Sequence, residues 1–380
     1  MGRTLADMRA VSVVGIGLHR YQKSSKTPYV ELGLSAVREA LADAEIEWST
    51  VESAFVGNAV LGMAPGRAML KHLGATGLTL CQVENASASG STAIRHACLE
   101  VATGISDVSI AIGVDKPGTV PISMSWTGAE RLSSMSPLLS FALLTNEYMN
   151  RYGATPEQIA AVAVKNHGNA ASNPYAQFQK VRSLDEVLEH PVAGSLTRLQ
   201  CCPFGEGAAA VILASDEGIE RLGIAAGRAV EVIGSVSRSE RVYTPGDSVI
   251  VELTRETATQ AFDEAGVGPA DLDVVEVHDA FSVEELLYTE ALGLCAEGEG
   301  ARYLAEGRSQ IGGDCAVSAS GGLIAMGHPF GPTGVGQVVE IARQLRGEAG
   351  VRQHAGARVG LAHMVGLGQV CLVHILRARI

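Results

Sequence analysis

V-E-L-G-L-S-A-V-R-E-A-L-A-D-A, from Val30, and V-E-L-T-R-E-T-A-T-Q-A-F-D-E-A, from Val251, are one helical phrase written twice. Both open on the same three residues, and both keep apolar side chains at helical spacing: Val37, Leu41 and Ala44 in the first, Ala258, Phe262 and Ala265 in the second. Around this pair other segments match at nearly the same offset. V-S-V-V-G-I-G from Val11 answers V-E-V-I-G-S-V from Val230, and V-E-S-A-F-V-G-N from Val51 answers L-D-V-V-E-V-H-D from Leu272. Further on, V-S-I-A-I-G-V from Val108 corresponds to V-G-L-A-H-M-V from Val359. Strands alternating with helices in each half predict βαβ units and a largely parallel, covered sheet, so the chain reads as a duplicated α/β fold. The competing explanation, generic α/β similarity, does not account for two elements holding one offset without a gap. The halves are expected at residues 1–220 and 221–380, with the junction in the 217–228 stretch. Residues from about 116 to 200 have no counterpart in the second half and read as a long insertion over the site end of the sheet.

Composition narrows the function. The 380 residues carry 29 Lys+Arg against 41 Asp+Glu, a formal net charge of -12. An acidic chain without a basic run repels phosphate backbones, so nucleic acid is not an expected partner. No apolar stretch nears the length of a membrane helix, and the first ten residues lack the apolar core of a secretion signal; a cytoplasmic protein without membrane contact is expected. The 7 Cys are odd in number and lack metal-ligand spacing, which suits a reducing compartment and predicts no metal site. The 44 Gly, free of low-complexity runs, point to many tight turns and close backbone approaches.

Four loops at predicted strand ends carry the chemistry. N-A-S-A-S-G-S-T lies between a strand at 80–83 and a helix beginning near Ser91; it holds Asn85, Ser87, Ser89 and Gly90. A small nucleophile there faces a helix N-terminus, whose free N–H groups and dipole stabilise negative charge, although small residues at such a place also serve as caps. V-H-D-A-F-S places His278 at the end of an apolar strand, and S-G-G-L-I-A-M-G-H-P-F-G-P-T-G places Gly322 and His328 among glycines. Histidines in backbone-dense turns are poorly explained by packing. The fourth loop, H-M-V-G-L-G-Q-V, holds His363 and the glycines Gly366 and Gly368, whose N–H groups are suited to an oxyanion. Rival motifs fail: G-I-G-L-H-R lacks the third glycine of a dinucleotide fingerprint, G-H-P-F-G-P-T-G has no P-loop Lys, and Cys201 and Cys202 are adjacent.

Together these loops, with K-N-H-G-N-A-A-S-N-P-Y-A-Q-F-Q from Lys165 and Q-C-C-P-F-G-E-G-A-A-A-V-I-L-A-S from Gln200, resemble the thiolase superfamily, in particular its sterol-carrier-protein type, over nearly the whole chain. The resemblance implies two βαβαβαββ halves in an α-β-α-β-α layering with an inserted loop domain, homodimeric assembly, and acyl transfer to and from coenzyme A in lipid or aromatic-acid metabolism. It implies acyl-CoA as substrate, with no permanently bound cofactor. Some members of the branch work with a small zinc-ribbon/OB-fold acyl-CoA-binding protein, a partner for which the sequence offers no direct sign. In the family a Cys stands where this chain has Ser87, and a second Cys where it has Ala280. His278 and His328 match the retained histidines, Asn85, Gly322, Gly366 and Gly368 match loops around the oxyanion sites, and His363 is the candidate to replace the missing acid/base.

A serine hydroxyl, unlike a thiol of pKa roughly 8.5, does not rest as an anion and needs a base during attack. His328 is the expected base. Three readings of Ser87 follow: an engineered replacement of a natural Cys, a working acyl carrier, or a scaffold for retro-aldol cleavage of a β-hydroxyacyl-CoA without a covalent intermediate. A non-catalytic acyl-CoA-binding subunit is a fourth. The two histidines favour Claisen-type chemistry, thiolysis of a 3-oxoacyl-CoA or the reverse condensation. Met124, Trp126, Leu138, Leu139 and Phe141 of the insertion are candidates for the acyl pocket, although such stripes are more often core.

Overall fold

The computed structural model describes residues 4–118, 136–367 and 369–379. Among them ten strands form the main sheet. The first half contributes β1 (Ser12–Gln22), β2 (Ser53–Gly57), β3 (Thr79–Val83), β4 (Val108–Asp115) and β5 (Glu206–Ala214). The second contributes β6 (Val230–Ser239), β7 (Val274–Glu276), β8 (Ala316–Val317), β9 (Val359–Gly366) and β10 (Val370–Ala378). The order is β8-β7-β9-β10-β6-β1-β5-β4-β2-β3. Directions repeat about the centre. From β1 outward the pairings run antiparallel, antiparallel, parallel, parallel, and so do those from β6 outward. The two sets meet where Ser12 pairs with Glu231 and Val13 with Val230. Each repeated segment of the sequence therefore occupies an equivalent place.

The helices complete the layers. α1 (Tyr29–Ala44) covers β1 and β5 on one outer face, burying Val37, Leu41 and Ala44 as expected. Two central helices are α2 (Ser89–Ala102), which begins two residues earlier than expected, and α7 (Phe330–Arg346). Between them lie the chain segments α3 (Pro137–Tyr152), α4 (Pro156–Ala171), α5 (Val249–Ala265) and α6 (Ser282–Ala291). α5 covers β6 and β10 on the other outer face. Its buried stripe is Leu253, Thr254, Thr257, Ala258 and Ala261, so Phe262 and Ala265 lie at the rim, half-buried, because the helix is rotated relative to the expected face. α2 and α7 pack on strands of both halves and form the middle layer. Their approach needs glycine: a Cβ on Gly90 would stand 2.2 Å from the Gly331 carbonyl oxygen, and one on Gly334 2.2 Å from Ser91 Oγ.

This layering puts the four chemistry-bearing loops at one end of the sheet. The residue 84–88 loop leaves the end of β3, the His278 loop leaves β7, and Gly366 closes β9. Of the insertion, α3 and α4 lie over that end; α4 packs on the Gly322–Met326 turn and on α6. Gln337 of α7 ties two of the loops together, its amide N–H groups donating to the carbonyls of Val277 and His363 at 3.1 Å each.

Candidate active site

Ser87 sits two residues ahead of α2, on a sharp turn. Ala86 is held at φ 49, a left-handed backbone conformation unusual for a residue with a side chain. The turn is fixed from inside: Asn85 N–H donates to Ser89 Oγ at 2.9 Å, Ser89 Oγ donates to the Ala86 carbonyl at 2.6 Å, and the Asn85 amide donates to Thr92 Oγ1 at 2.9 Å. Asn85 is thus spent on the loop itself and does not line the cavity.

His328 faces Ser87, with Nε2 3.0 Å from Oγ. Its other nitrogen, Nδ1, lies 2.9 Å from Thr333 Oγ1, while Thr333 Oγ1 in turn donates to the Pro329 carbonyl at 2.6 Å. A hydroxyl has one proton. With that proton committed to Pro329, Thr333 can only accept from His328, so Nδ1 carries the ring proton and Nε2 presents a lone pair to the Ser87 hydroxyl. Burial first, and His278 beside it second, hold the His328 imidazole well below its ordinary pKa, so it is neutral and ready to take a proton. The positive end of the 14-residue α2 stands next to the oxygen that would attack.

His278 lies edge-on to His328, ring centres 5.3 Å apart. It is 7% exposed, and neither ring nitrogen makes a hydrogen bond among the described residues; Glu284 Oε1 is 3.5 Å from Nδ1. Such a buried, unpartnered ring is a place for a ligand oxygen. Beneath it Asp279 is locked away, accepting from Asn166 Nδ2 and from Leu323 N–H at 2.7 Å each, and Asn166 also donates to Glu285 at 2.8 Å. Gly322, at φ 60, is packed so closely on this carboxylate that a Cβ would fall 2.1 Å from Oδ2; it shapes the loop and does not reach the cavity. At the end of β9 a Cβ on Gly366 would meet the Asn85 carbonyl at 2.3 Å, which places the last strand directly against the Ser87 loop. Gly368 lies outside the described residues.

Ser87, His278, His328 and Gly366 open onto a single cavity of about 530 Å³. Its walls are mainly apolar and include two ring pairs, Phe141 stacked on Phe281 (4.5 Å) and Phe204 tilted against Phe330 (4.8 Å). That volume suits a small organic group. Of the insertion side chains expected here, Phe141 lines the cavity, Leu138 packs behind it, and Leu139 is exposed; Met124 and Trp126 lie outside the described residues. His363 is placed differently from expectation. It is fully buried, its Nε2 lies 2.9 Å from Thr254 Oγ1 and its Nδ1 3.5 Å from the His278 backbone N–H, and it does not line the cavity. Burial pushes its pKa down to about 3. Such a ring braces the His278 loop.

Three contributors escaped the sequence reading. Thr333 sits in the G-H-P-F-G-P-T-G loop, five residues after His328, and only the helix start at Phe330 shows that it turns back to the ring. Glu284 and Cys202 both line the cavity, the latter passed over because adjacent cysteines suggest no metal. Among the described residues no group of three His, Cys, Asp or Glu side chains could hold a metal ion, and no helix is long and apolar enough to cross a membrane.

Comparison with known proteins gives the geometry its relatives. Residues 16–217 match the family described as "Thiolase, N-terminal domain" and residues 234–377 "Thiolase C-terminal domain-like". The chain is 38% identical over 371 residues to a benzoylsuccinyl-CoA thiolase subunit BbsB of Thauera aromatica, covering 95% of each chain. It is 36% identical over 402 residues to sterol carrier protein 2 of Oryctolagus cuniculus, covering 99% of this chain and 73% of that one. Among solved structures, the Ltp2-ChsH2(DUF35) aldolase superposes with a TM-score of 0.86 at 24% identity, over 97% of this chain and 98% of that one.

Proposed function

The chain belongs to the thiolase family and is an acyltransferase of CoA thioesters, and from that premise we propose that it makes or breaks a carbon–carbon bond beside a thioester carbonyl with Ser87 as acyl acceptor. One observation carries the reading: the 3.0 Å contact between Ser87 Oγ and a His328 Nε2 left free of its proton by Thr333. In the cleavage direction Ser87 Oγ attacks the 3-oxo carbon of a 3-oxoacyl-CoA while its proton passes to His328 Nε2. The new oxyanion lies at the N-terminus of α2, where backbone dipoles stabilise it without reorganising. Collapse breaks the C2–C3 bond and leaves an enolate on the departing thioester, whose oxygen is the partner the His278 ring lacks. Free CoA then takes the acyl group from Ser87, and His328 returns the proton to the serine oxygen. The backbone at Gly366 is suited to a second oxyanion, and the apolar cavity to the acyl chain.

The hydroxyl favours a second reading. A serine with a neutral base and no resting anion is equally able to relay the proton of a β-hydroxyl, which is retro-aldol chemistry without an acyl-enzyme. The two differ in consumption: thiolysis uses free CoA, whereas a lyase releases an aldehyde or ketone without it. For assembly we propose a homodimer and, because the BbsB relative is a subunit and the Ltp2 structure contains a DUF35 chain, a small zinc-ribbon/OB-fold partner.

The test is mass spectrometry of the protein and its Ser87→Cys form after incubation with a panel of 3-oxoacyl-CoAs. Acylation of Ser87 is the expected result. Acylation of the Cys form alone would identify the present chain as a trapped form and remove Ser87 as nucleophile; acylation of neither would remove the acyl-transfer reading.

A further inference from the structure

Carbon–carbon bond cleavage next to a thioester leaves an enolate that must be protonated at carbon, and condensation must remove that same proton. This demand rests on the reaction proposed above, and it falls on a group lining the cavity. His328 is committed to Ser87 and Thr333. Tyr288 donates its hydroxyl to Glu284 Oε1 at 2.9 Å, and Glu284 Oε2 accepts the Phe281 N–H at 2.9 Å. His278, with both ring nitrogens unpartnered in a 7% exposed position, is the seat of the thioester oxygen.

Cys202 remains. The residue lines the same cavity, and its thiol makes no hydrogen bond to another described residue. It is braced between the two histidine loops: its backbone N–H donates to the Ala280 carbonyl at 2.8 Å, and the carbonyl of the next residue, Pro203, accepts the His328 N–H at 3.2 Å. Ala280 follows His278 by two residues and its methyl group packs in one cluster with Cys202, Phe281 and Leu323. A residue larger than alanine at 280 would compete with the thiol for this wall. Burial, then the nearby Glu284, push the thiol well above its usual pKa, so it rests protonated, the state an acid requires.

We propose that Cys202 is the acid and base at the α-carbon of the thioester. In cleavage, the Sγ–H bond breaks and its proton forms the new C–H bond of the enolate, leaving a thiolate in an apolar cavity. That thiolate takes the proton of the incoming CoA thiol. The CoA sulfur then attacks the Ser87 ester, and the serine oxygen departs with the proton held by His328. Protons balance over the cycle and no oxidant is involved.

The experiment separates this step from acyl transfer. The protein is incubated with a saturated acyl-CoA in D2O, and α-proton exchange is followed by NMR while Ser87 acylation by 3-oxoacyl-CoA is followed by mass spectrometry. Cys202→Ala and Cys202→Ser are expected to lose exchange by about 100-fold or more while Ser87 is still acylated; retained acylation also shows that the variants fold. Cys201→Ala, whose thiol donates to the Thr197 carbonyl, is expected to exchange like the unaltered protein. Exchange in Cys202→Ala within about threefold of the unaltered protein, with acylation intact, overturns Cys202 alone. An unaltered protein that neither acylates nor exchanges overturns the underlying reaction.

Discussion

Replacing Thr333 by valine tests the proton logic of the site most directly. Valine keeps the shape, and the Pro329 carbonyl keeps its backbone partner because the residue 333 N–H donates to it at 3.2 Å. What disappears is the acceptor of the His328 Nδ1 proton. A buried donor without a partner costs about 1–3 kcal/mol, and the ring escapes that cost by moving its proton to Nε2, where Ser87 Oγ accepts it. The imidazole then donates to the serine instead of accepting from it. At 1.36 kcal/mol per factor of ten, the fraction of enzyme with a free Nε2 lone pair falls about 5- to 150-fold, and the rate of Ser87 acylation falls with it. Thr333 is 3% exposed and touches the ring, not the cavity, so apparent substrate affinity is expected to stay unchanged. Rapid-quench mass spectrometry under single turnover measures the acylation rate, and Thr333→Ser, which restores the hydroxyl, is expected to recover it. A Thr333→Val protein that acylates within twofold of the unaltered rate would refute the assigned tautomer and with it the role of His328 as base.

Because burial holds His328 well below the ordinary imidazole pKa, the neutral base persists as pH falls, so acylation is expected to show no inflection near pH 6.5 between pH 8 and 6; a rate that halves at that point speaks against it. Gly366→Ala brings a Cβ to 2.3 Å from the Asn85 carbonyl and must push β9 from the Ser87 loop, so a drop of tenfold or more in acylation is expected with only a modest change in thermal midpoint. Asn166→Ala strips the shared donor from the buried Asp279 and Glu285 carboxylates, and a loss of about 1–3 kcal/mol in denaturant unfolding is expected. Glu276, whose burial and neighbour Glu340 raise its pKa to about 8, binds its proton more tightly folded than unfolded. Its contribution is therefore complete near pH 4.5 and is lost as pH rises through 8, so Glu276→Gln is expected to gain on the order of 1 kcal/mol per pH unit over the unaltered protein between pH 5.5 and 7.5.

The architecture was legible because helical and strand periods are local. The Val30 and Val251 phrases show one face each, and the two copies occupy matching places around the centre of the sheet. The histidine loops were legible for a related reason: His278 and His328 sit where small residues crowd the backbone, and both reach the cavity. His363 marks the limit. Side chains on a strand alternate between faces, so His363 shares a face with Val365, which does line the cavity. The direction can be read from the sequence, but the depth cannot. Two residues further into the strand is one layer too deep, under Tyr288, whose ring centre is 4.5 Å from that of His363. Thr333 was hidden because only the turn into α7 brings it back to a ring five residues earlier, and Cys202 because its contacts join segments remote in sequence.

These same contacts bear on why a serine suits this cavity. A thiol paired with imidazole favours an ion pair, thiolate with imidazolium, and that requires the cavity to hold two charges at rest. The walls around Ser87 are largely apolar, and they already depress the basicity of His328. Separated charge is costly in such a place unless hydrogen bonds meet it. A hydroxyl and a neutral imidazole hold no charge until the substrate arrives, and the first anion to form is on the substrate oxygen, at the end of α2 where the backbone dipoles converge. The fixed Nδ1 proton, the apolar walls and the serine thus describe one arrangement, a site neutral at rest that separates charge only once the substrate reacts.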